Sequence, residues 1–292
     1  MSFATSDWSA ASIRWRDRSR RPMTKRLHDL QSVLTSFAYR TEYFNEIDGM
    51  LVTVREHHPD WPTVTGRGPV SGCDLPTFEV EGPARKCRWT FPVALDLDGS
   101  ENDWRKITKM KGWWMSQVWG EFGEIADSDS TRLVWVDADA RLNGPLDVEL
   151  DPEGEVIAGP WWDDPENPAH STICSGLVVF QGSRHGIVRT IIDRWSSDCQ
   201  SQVGNLPDPT VPWLDGDQEV LNGILQSLPP SDHGYTWLKL EHDRYAAYAN
   251  KDGTPLAGAL VDQWQMSRKM KFPECRDRDW PPPEMLRRRS AK

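Results

Sequence analysis

The stretch 133–142, LVWVDADARL, restricts this chain more than any other part of it. Leu133, Val134, Trp135 and Val136 form an unbroken apolar run, which fits a strand buried on both faces of a helix-covered sheet. The run stops at Asp137-Ala138-Asp139. Two carboxylates at the C-terminal end of such a strand sit on the edge where open α/β sheets bind ligands. Their hard oxygens suit Mg²⁺ or Mn²⁺ rather than zinc, and such a cation neutralises a diphosphate. The competing reading is an acidic loop that caps a following helix.

The surrounding pattern agrees with an α/β sheet. Segment 32–38 (SVLTSFA) reads as a buried strand. A helix is predicted over 41–56, with Thr41 as N-cap and Phe44, Ile47, Leu51 and Val54 at helical spacing. His57, His58 and Pro59 end it in a turn where both histidines read as solvated, and 61–65 restarts as a strand. Strand, helix and strand in close succession open a parallel sheet. The Gly/Pro-rich stretch 66–88 has no clear assignment, and 89–95 reads as a further strand. Over 107–122 a helix is expected, with Met110, Trp114, Val118 and Phe122 as its apolar stripe. Later strands fall at 156–159 and 177–180, and later helices at 186–195 and from 217 to 226.

A chain of 292 residues, 38% hydrophobic and 27% charged, has room for one large domain and is not broadly disordered. No apolar run approaches the ~18 residues of a membrane helix. The first residues carry no secretory pattern, so a cytoplasmic protein without a membrane partner is expected. Five cysteines, none in a C-x-x-C pair, read as reduced thiols rather than a zinc or disulfide framework. The net charge of −10 conceals a division: segments 14–26 and 268–292 hold sixteen Lys/Arg against five Asp/Glu. These are either solvated tails or arms that track a polyanion such as DNA. The organisation expected is a basic arm over 1–27, one domain over 28–275, and a Pro/Arg-rich tail over 276–292. Of the 16 tryptophans, Trp113, Trp114 and Trp135 read as core. Trp161, Trp162, Trp213 and Trp264 fall in loops or at motif edges where a sugar or base could stack. P-loop, H-E-x-x-H, G-x-S-x-G and G-x-G-x-x-G patterns are absent.

Four blocks in series carry a family resemblance. Residues 108–117 (TKMKGWWMSQ) resemble a T-K-[LM]-x-x-W helix, and Asp137-Ala138-Asp139 resembles the D-A-D that follows it. Residues 174–180 (CSGLVVF) are similar to an N-S-G strand, with Cys174 in place of Asn. Residues 217–222 (DQEVLN) match a D-Q-x-x-L-N helix start. Together, over about residues 30–270, they resemble glycosyltransferases of the GT-A fold, most closely the glycogenin-like family and its bacterial and viral relatives. The resemblance implies an α/β, Rossmann-like nucleotide-diphospho-sugar transferase fold with a mostly parallel central sheet.

It also implies roles. Asp137 and Asp139 would hold Mn²⁺ or Mg²⁺ against the diphosphate of a nucleotide sugar, most simply a UDP-sugar. Lys109 would face the donor, or else be a surface lysine. Thr35, Ser36 and Tyr43 match positions that contact base and ribose, although Tyr43 equally suits a packed aromatic. Ser175 and Gly176 would let the backbone approach the sugar. Asp217 and Gln218 would act on the transferring sugar or line the acceptor side, and Asp217 also suits a helix N-cap. The family's third metal ligand is a histidine followed by a phosphate-contacting lysine. The corresponding stretch 261–271 (VDQWQMSRKMK) has no histidine, so Asp262 or Gln263, with Lys269 or Lys271, stand in those places.

The activity implied is metal-dependent glycosyl transfer, with retention at the anomeric carbon as the family outcome and inversion if Asp217 serves as a base. The acceptor is open: a modified base in phage DNA, a glycan, a protein or a small molecule. A non-catalytic, Trp-rich carbohydrate-binding protein is the alternative from another class. A sugar nucleotidyltransferase would want a Gly-rich basic loop after the first strand, which 35–40 does not supply.

Overall fold

A computed structural model of the chain describes residues 24–83, 85–97, 103–122, 130–163, 171–203, 216–248 and 257–263. The first part holds β1 (Lys25–Arg26), β2 (Val33–Tyr39), α1 (Phe44–His57), β3 (Thr63–Gly68), β4 (Thr77–Glu81) and β5 (Lys86–Thr90). Then come α2 (Asp103–Thr108), α3 (Met110–Phe122), β6 (Ser130–Val136), β7 (Ala140–Leu142), β8 (Glu149–Leu150), β9 (Val156–Trp162) and β10 (Thr172–Ile173). The last part holds β11 (Leu177–Ser183), α4 (Ile187–Val203), α5 (Asp217–Ser227), α6 (Pro230–His233), β12 (Thr236–Glu241), α7 (His242–Tyr245), β13 (Ala247–Tyr248) and β14 (Val261–Gln263).

Among the described residues nine strands make the central sheet, in the order β10-β9-β11-β6-β2-β3-β4-β5, with β12 on the free side of β9. The sheet is mixed, which corrects the mostly parallel expectation. Only β6-β2, β2-β3 and β12-β9 run parallel, and the other five junctions are antiparallel. The reason is connection length. The 82–85 turn between β4 and β5 is too short for a crossover, and so is the 163–171 connection from β9 back into β10.

Alternation along β6 divides two cores. Leu133 and Trp135 join α3, α4 and α5 on one face, and Val134 and Val136 join α1 and β7 on the other. Both faces are covered, which is why the strand reads as an unbroken apolar run. A smaller sheet, β13-β14-β7, sets Gln263 opposite Ala140 and Asp262 opposite Arg141. At the start of the described chain β1 pairs with β8, and Leu27 is fully buried. Among the described residues no helix is long and apolar enough to cross a membrane.

Several local expectations are revised. Thr41 opens a short 3-10 turn rather than capping α1. The unassigned 66–88 holds most of the β4–β5 hairpin, and 91–97 lies outside any strand. The helix expected over 107–122 is two helices broken at Lys109. Trp61 precedes β3 and donates its indole N–H to the Leu30 carbonyl at 3.1 Å. His58, expected in solvent, is buried and stacked on Trp61 with ring centroids 3.8 Å apart. Its Nε2 accepts the Leu146 N–H at 3.1 Å, so its solvent has been replaced by a specific partner. Burial, reinforced by His57 and His28, lowers its pKa to about 4.

Candidate active site

The end of β6 is fixed by backbone and side chain together. Asp137 donates its N–H to the Gly176 carbonyl at 2.8 Å, which joins β6 to the entry of β11. Its carboxylate accepts the Trp135 indole N–H at 2.8 Å, so the residue that anchors the strand in the core also aims the acid. The Asp137 side chain is 30% exposed. Asp139 follows in the turn closed by the Ala140 N–H to Asp137 carbonyl bond of 3.0 Å, and it is half-buried.

Lys111 reaches this edge from α3. Its ammonium lies 3.0 Å from Asp137 Oδ1 and 3.0 Å from Asp217 Oδ2. It also donates to the Ser175 carbonyl and hydroxyl, each at 3.1 Å, and sits 5.1 Å from the Trp135 ring centroid. Lys111 is 3% exposed. Desolvating an ammonium costs on the order of several kcal/mol, and breaking such a pair costs about as much again. Burial would pull the Lys111 pKa down, but the charges of Asp137 and Asp217 and their hydrogen bonds outweigh it and hold the pKa above the ordinary lysine value.

Asp217 is the first residue of α5 and 4% exposed, where the helix dipole favours a carboxylate. The Trp195 indole N–H holds its carbonyl at 2.9 Å, and the Glu219 carboxylate accepts the Gly216 N–H at 2.8 Å to close the helix start. Gln218 accepts the Ser175 N–H through Oε1 at 3.2 Å. Gly176 is packed so tightly that an added Cβ would lie 1.5 Å from Nε2 of Gln263 and 2.5 Å from its Cδ. A side chain at this position would have to displace the Gln263 amide. Cys174 lies beside Gln263, and burial pushes its thiol up to about 11, which leaves it no role as a nucleophile at neutral pH.

Asp137, Ser175, Gly176, Asp217 and Gln218 thus come together, with Asp139 in the adjoining turn. The other expected residues lie as follows. Lys109, at the break before α3, is fully buried and donates to Gln202 at 2.7 Å, while the lysine between Asp137 and Asp217 is Lys111. Thr35 and Ser36 lie inside β2, not at its end, and both are fully buried. The Thr35 hydroxyl donates to the Val64 carbonyl at 2.8 Å and accepts the Trp114 indole N–H at 2.7 Å. Tyr43 packs with the α1-side core. Asp262 turns away to Arg141 at 2.6 Å, and Gln263 is the member of that pair at the site. Lys269, Lys271, Trp213 and Trp264 lie outside the described residues. Lys111 was not singled out from sequence. Its signal was a lysine set inside the apolar run MKGWWM, where only a paired charge can be buried.

Asp137 and Asp139 are the hard oxygen donors of this turn, with Oδ1 of Asp137 already held by Lys111 and the Trp135 indole. Among the described residues no third His, Cys, Asp or Glu joins them in a cluster able to hold a metal. That set fits a cation that shares its coordination with substrate phosphates, as Mg²⁺ does, and not a metal caged by protein alone.

No protein-family model and no curated protein sequence matches this chain. Among solved structures it is similar to a glycosyltransferase involved in the glycosylation of the major capsid of PBCV-1, at 12% identity and a TM-score of 0.45. The likeness covers 84% of this chain and 99% of that one. At that level it speaks for neither residues nor reaction.

Proposed function

We propose that the chain is a glycosyltransferase that moves a sugar from a nucleoside-diphosphate donor, expected to be a UDP-sugar, to an acceptor hydroxyl. One observation carries the reading. Residues far apart in sequence (Lys111, Asp137, Ser175 with Gly176, and Asp217 with Gln218) meet at the C-terminal edge of the central parallel strands. That edge is where α/β sheets bind nucleotides.

In the reaction, an acceptor oxygen bonds to the anomeric carbon as the bond from that carbon to the β-phosphate oxygen breaks. The electron pair leaves with the nucleoside diphosphate, whose departing phosphate oxygen takes the acceptor hydroxyl's proton. Mn²⁺ or Mg²⁺ held by Asp137 and Asp139 would neutralise charge on that leaving group. The chain's own residues would position the sugar: Ser175, Asp217 and Gln218 border the 174–176 link, where the Gln263 amide covers the face of Gly176. Lys111 fixes α3, β6, the 174–176 link and α5 in one arrangement, which removes reorganisation from the reacting step. Asp217, committed to an ion pair with Lys111, is poorly suited to act as a general base.

The basic segments behind a DNA acceptor, 14–23 and 268–292, lie outside the described residues. Exposure of Trp162 (45%) favours the second reading, a carbohydrate-binding protein without turnover. Incubation with UDP-sugars and Mn²⁺, with and without EDTA, separates the two. UDP release that disappears in Asp137→Asn supports transfer, and sugar binding unaltered by Asp137→Asn with no release supports the second reading.

A further inference from the structure

A second feature shares the sheet edge with Asp137. The C-terminal ends of β9 and β12 border an open cleft of about 750 Å³ lined by Trp161, Trp162, Asp163, Lys239, Glu241 and Asp243, among others. Trp162 is the one exposed large hydrophobic side chain among the described residues, at 45%. A single exposed indole is ordinary; what distinguishes this one is that it lines an open cleft among carboxylates.

The strand end is held by its backbone pairing, and the Trp161 ring by its neighbours. Trp162 and Trp161 pair with Thr172 and Ile173 of β10. The Trp161 indole N–H donates to Asp163 at 2.5 Å, its ring meets Trp237 edge-on at 5.1 Å, and the Lys239 ammonium lies 3.5 Å from its centroid.

Position ties the cleft to the chemistry. Trp162 pairs with Thr172, and Ser175, three residues further on, accepts the Lys111 hydrogen bonds. Three extended residues span roughly 10 Å. A molecule on Trp162 would therefore lie beside the 174–176 link, on the side away from β2 and β3.

Charge selects its class. Asp163, Glu241 and Asp243 contribute three carboxylates against the single ammonium of Lys239, which is spent over Trp161 and Trp237. Such a rim repels phosphates and accepts hydrogen bonds from hydroxyls. We infer that this cleft is a subsite for a neutral saccharide acceptor, with the apolar face of a pyranose on Trp162 and its hydroxyls on the rim carboxylates. This rests on the glycosyltransferase reading for the word acceptor, but not for binding.

The test is calorimetric titration of the full chain, without donor or metal, against neutral di- and trisaccharides of glucose, galactose and mannose. A single-stranded DNA oligonucleotide serves as the competing arm. The expected result is saccharide binding that varies little between low and high salt, is weakened at least about tenfold in Trp162→Ala, and is partly restored in Trp162→Phe. No saccharide binding up to ~20 mM, equal affinity in Trp162→Ala, or salt-dependent DNA binding lost with Trp162 would each overturn the subsite. Saccharide binding through Trp162 with no nucleoside diphosphate release would uphold the subsite and sink the transferase reading. Release without such binding would sink the subsite alone.

Discussion

Lys111 meets four oxygens on three separate segments: it ion-pairs with Asp137 Oδ1 and Asp217 Oδ2 and donates to the carbonyl and hydroxyl of Ser175. An ammonium has three protons, so its geometry is set by all of these groups and tolerates no shortening of the side chain. In Lys111→Met, Asp137 and Asp217 lose their shared counterion. Chemical denaturation is expected to report a loss of about 3–5 kcal/mol, with much of it recovered when Asp217→Asn is added. A purely additive double mutant would contradict the pairing. From sequence, the apolar end of β6 and its two acids were legible because strand burial and carboxylate placement are local properties. Lys111 was not, because the choice between two lysines two residues apart depends on where α3 breaks. That break, at Lys109, leaves no mark on the periodicity of Ile107, Met110 and Trp114.

Helix α3 is brought to the sheet by its crossing with α4. A Cβ at Gly112 would lie 2.8 Å from the Trp195 carbonyl carbon and 2.9 Å from the Ser196 nitrogen, so backbone itself blocks any larger residue. Gly112→Ala is expected to cost about 1–3 kcal/mol and, by lifting Lys111, to lower activity together with stability. Gly223 on α5 is the control: nothing lies within 4 Å of its would-be Cβ, and Gly223→Ala is expected to add about 0.5–1 kcal/mol. Opposite signs in thermal denaturation of the two variants would support the close crossing, and equal signs would contradict it. The helices themselves were legible from their apolar stripes. The direction of the strands was not, since β4 and β5 arise in a Gly/Pro-rich stretch and pairing sense is decided by distant partners.

At the scale of the molecule, two cores flank one mixed sheet, and His58 belongs to the packing between α1 and the segment before β8. Its pKa falls from 6.5 in the unfolded chain to about 4, so the unfolded chain holds the proton more tightly. Its contribution to stability is complete above about pH 6.5, shrinks as the pH falls, and is gone near pH 4. The urea midpoint is expected to drop across that window and to drop less in His58→Gln. Parallel slopes for the two proteins would contradict the assignment.

The large-scale charge division was plain in composition, yet its basic ends lie mostly beyond the described residues. The described sheet edge is instead acidic, with Asp137, Asp139, Asp163, Asp217, Glu241 and Asp243 along it. That balance suits a cation, a developing positive charge on a sugar, and a neutral acceptor. The central claim is that this edge cleaves a nucleotide sugar. The most direct measurement is release of nucleoside diphosphate from a panel of nucleotide sugars with Mn²⁺, comparing the native chain with folded Asp137→Asn and Asp217→Asn. Release from at least one donor, reduced about a hundredfold or more in both variants, is the predicted result. No release from any donor, or release unchanged in Asp137→Asn, would contradict it.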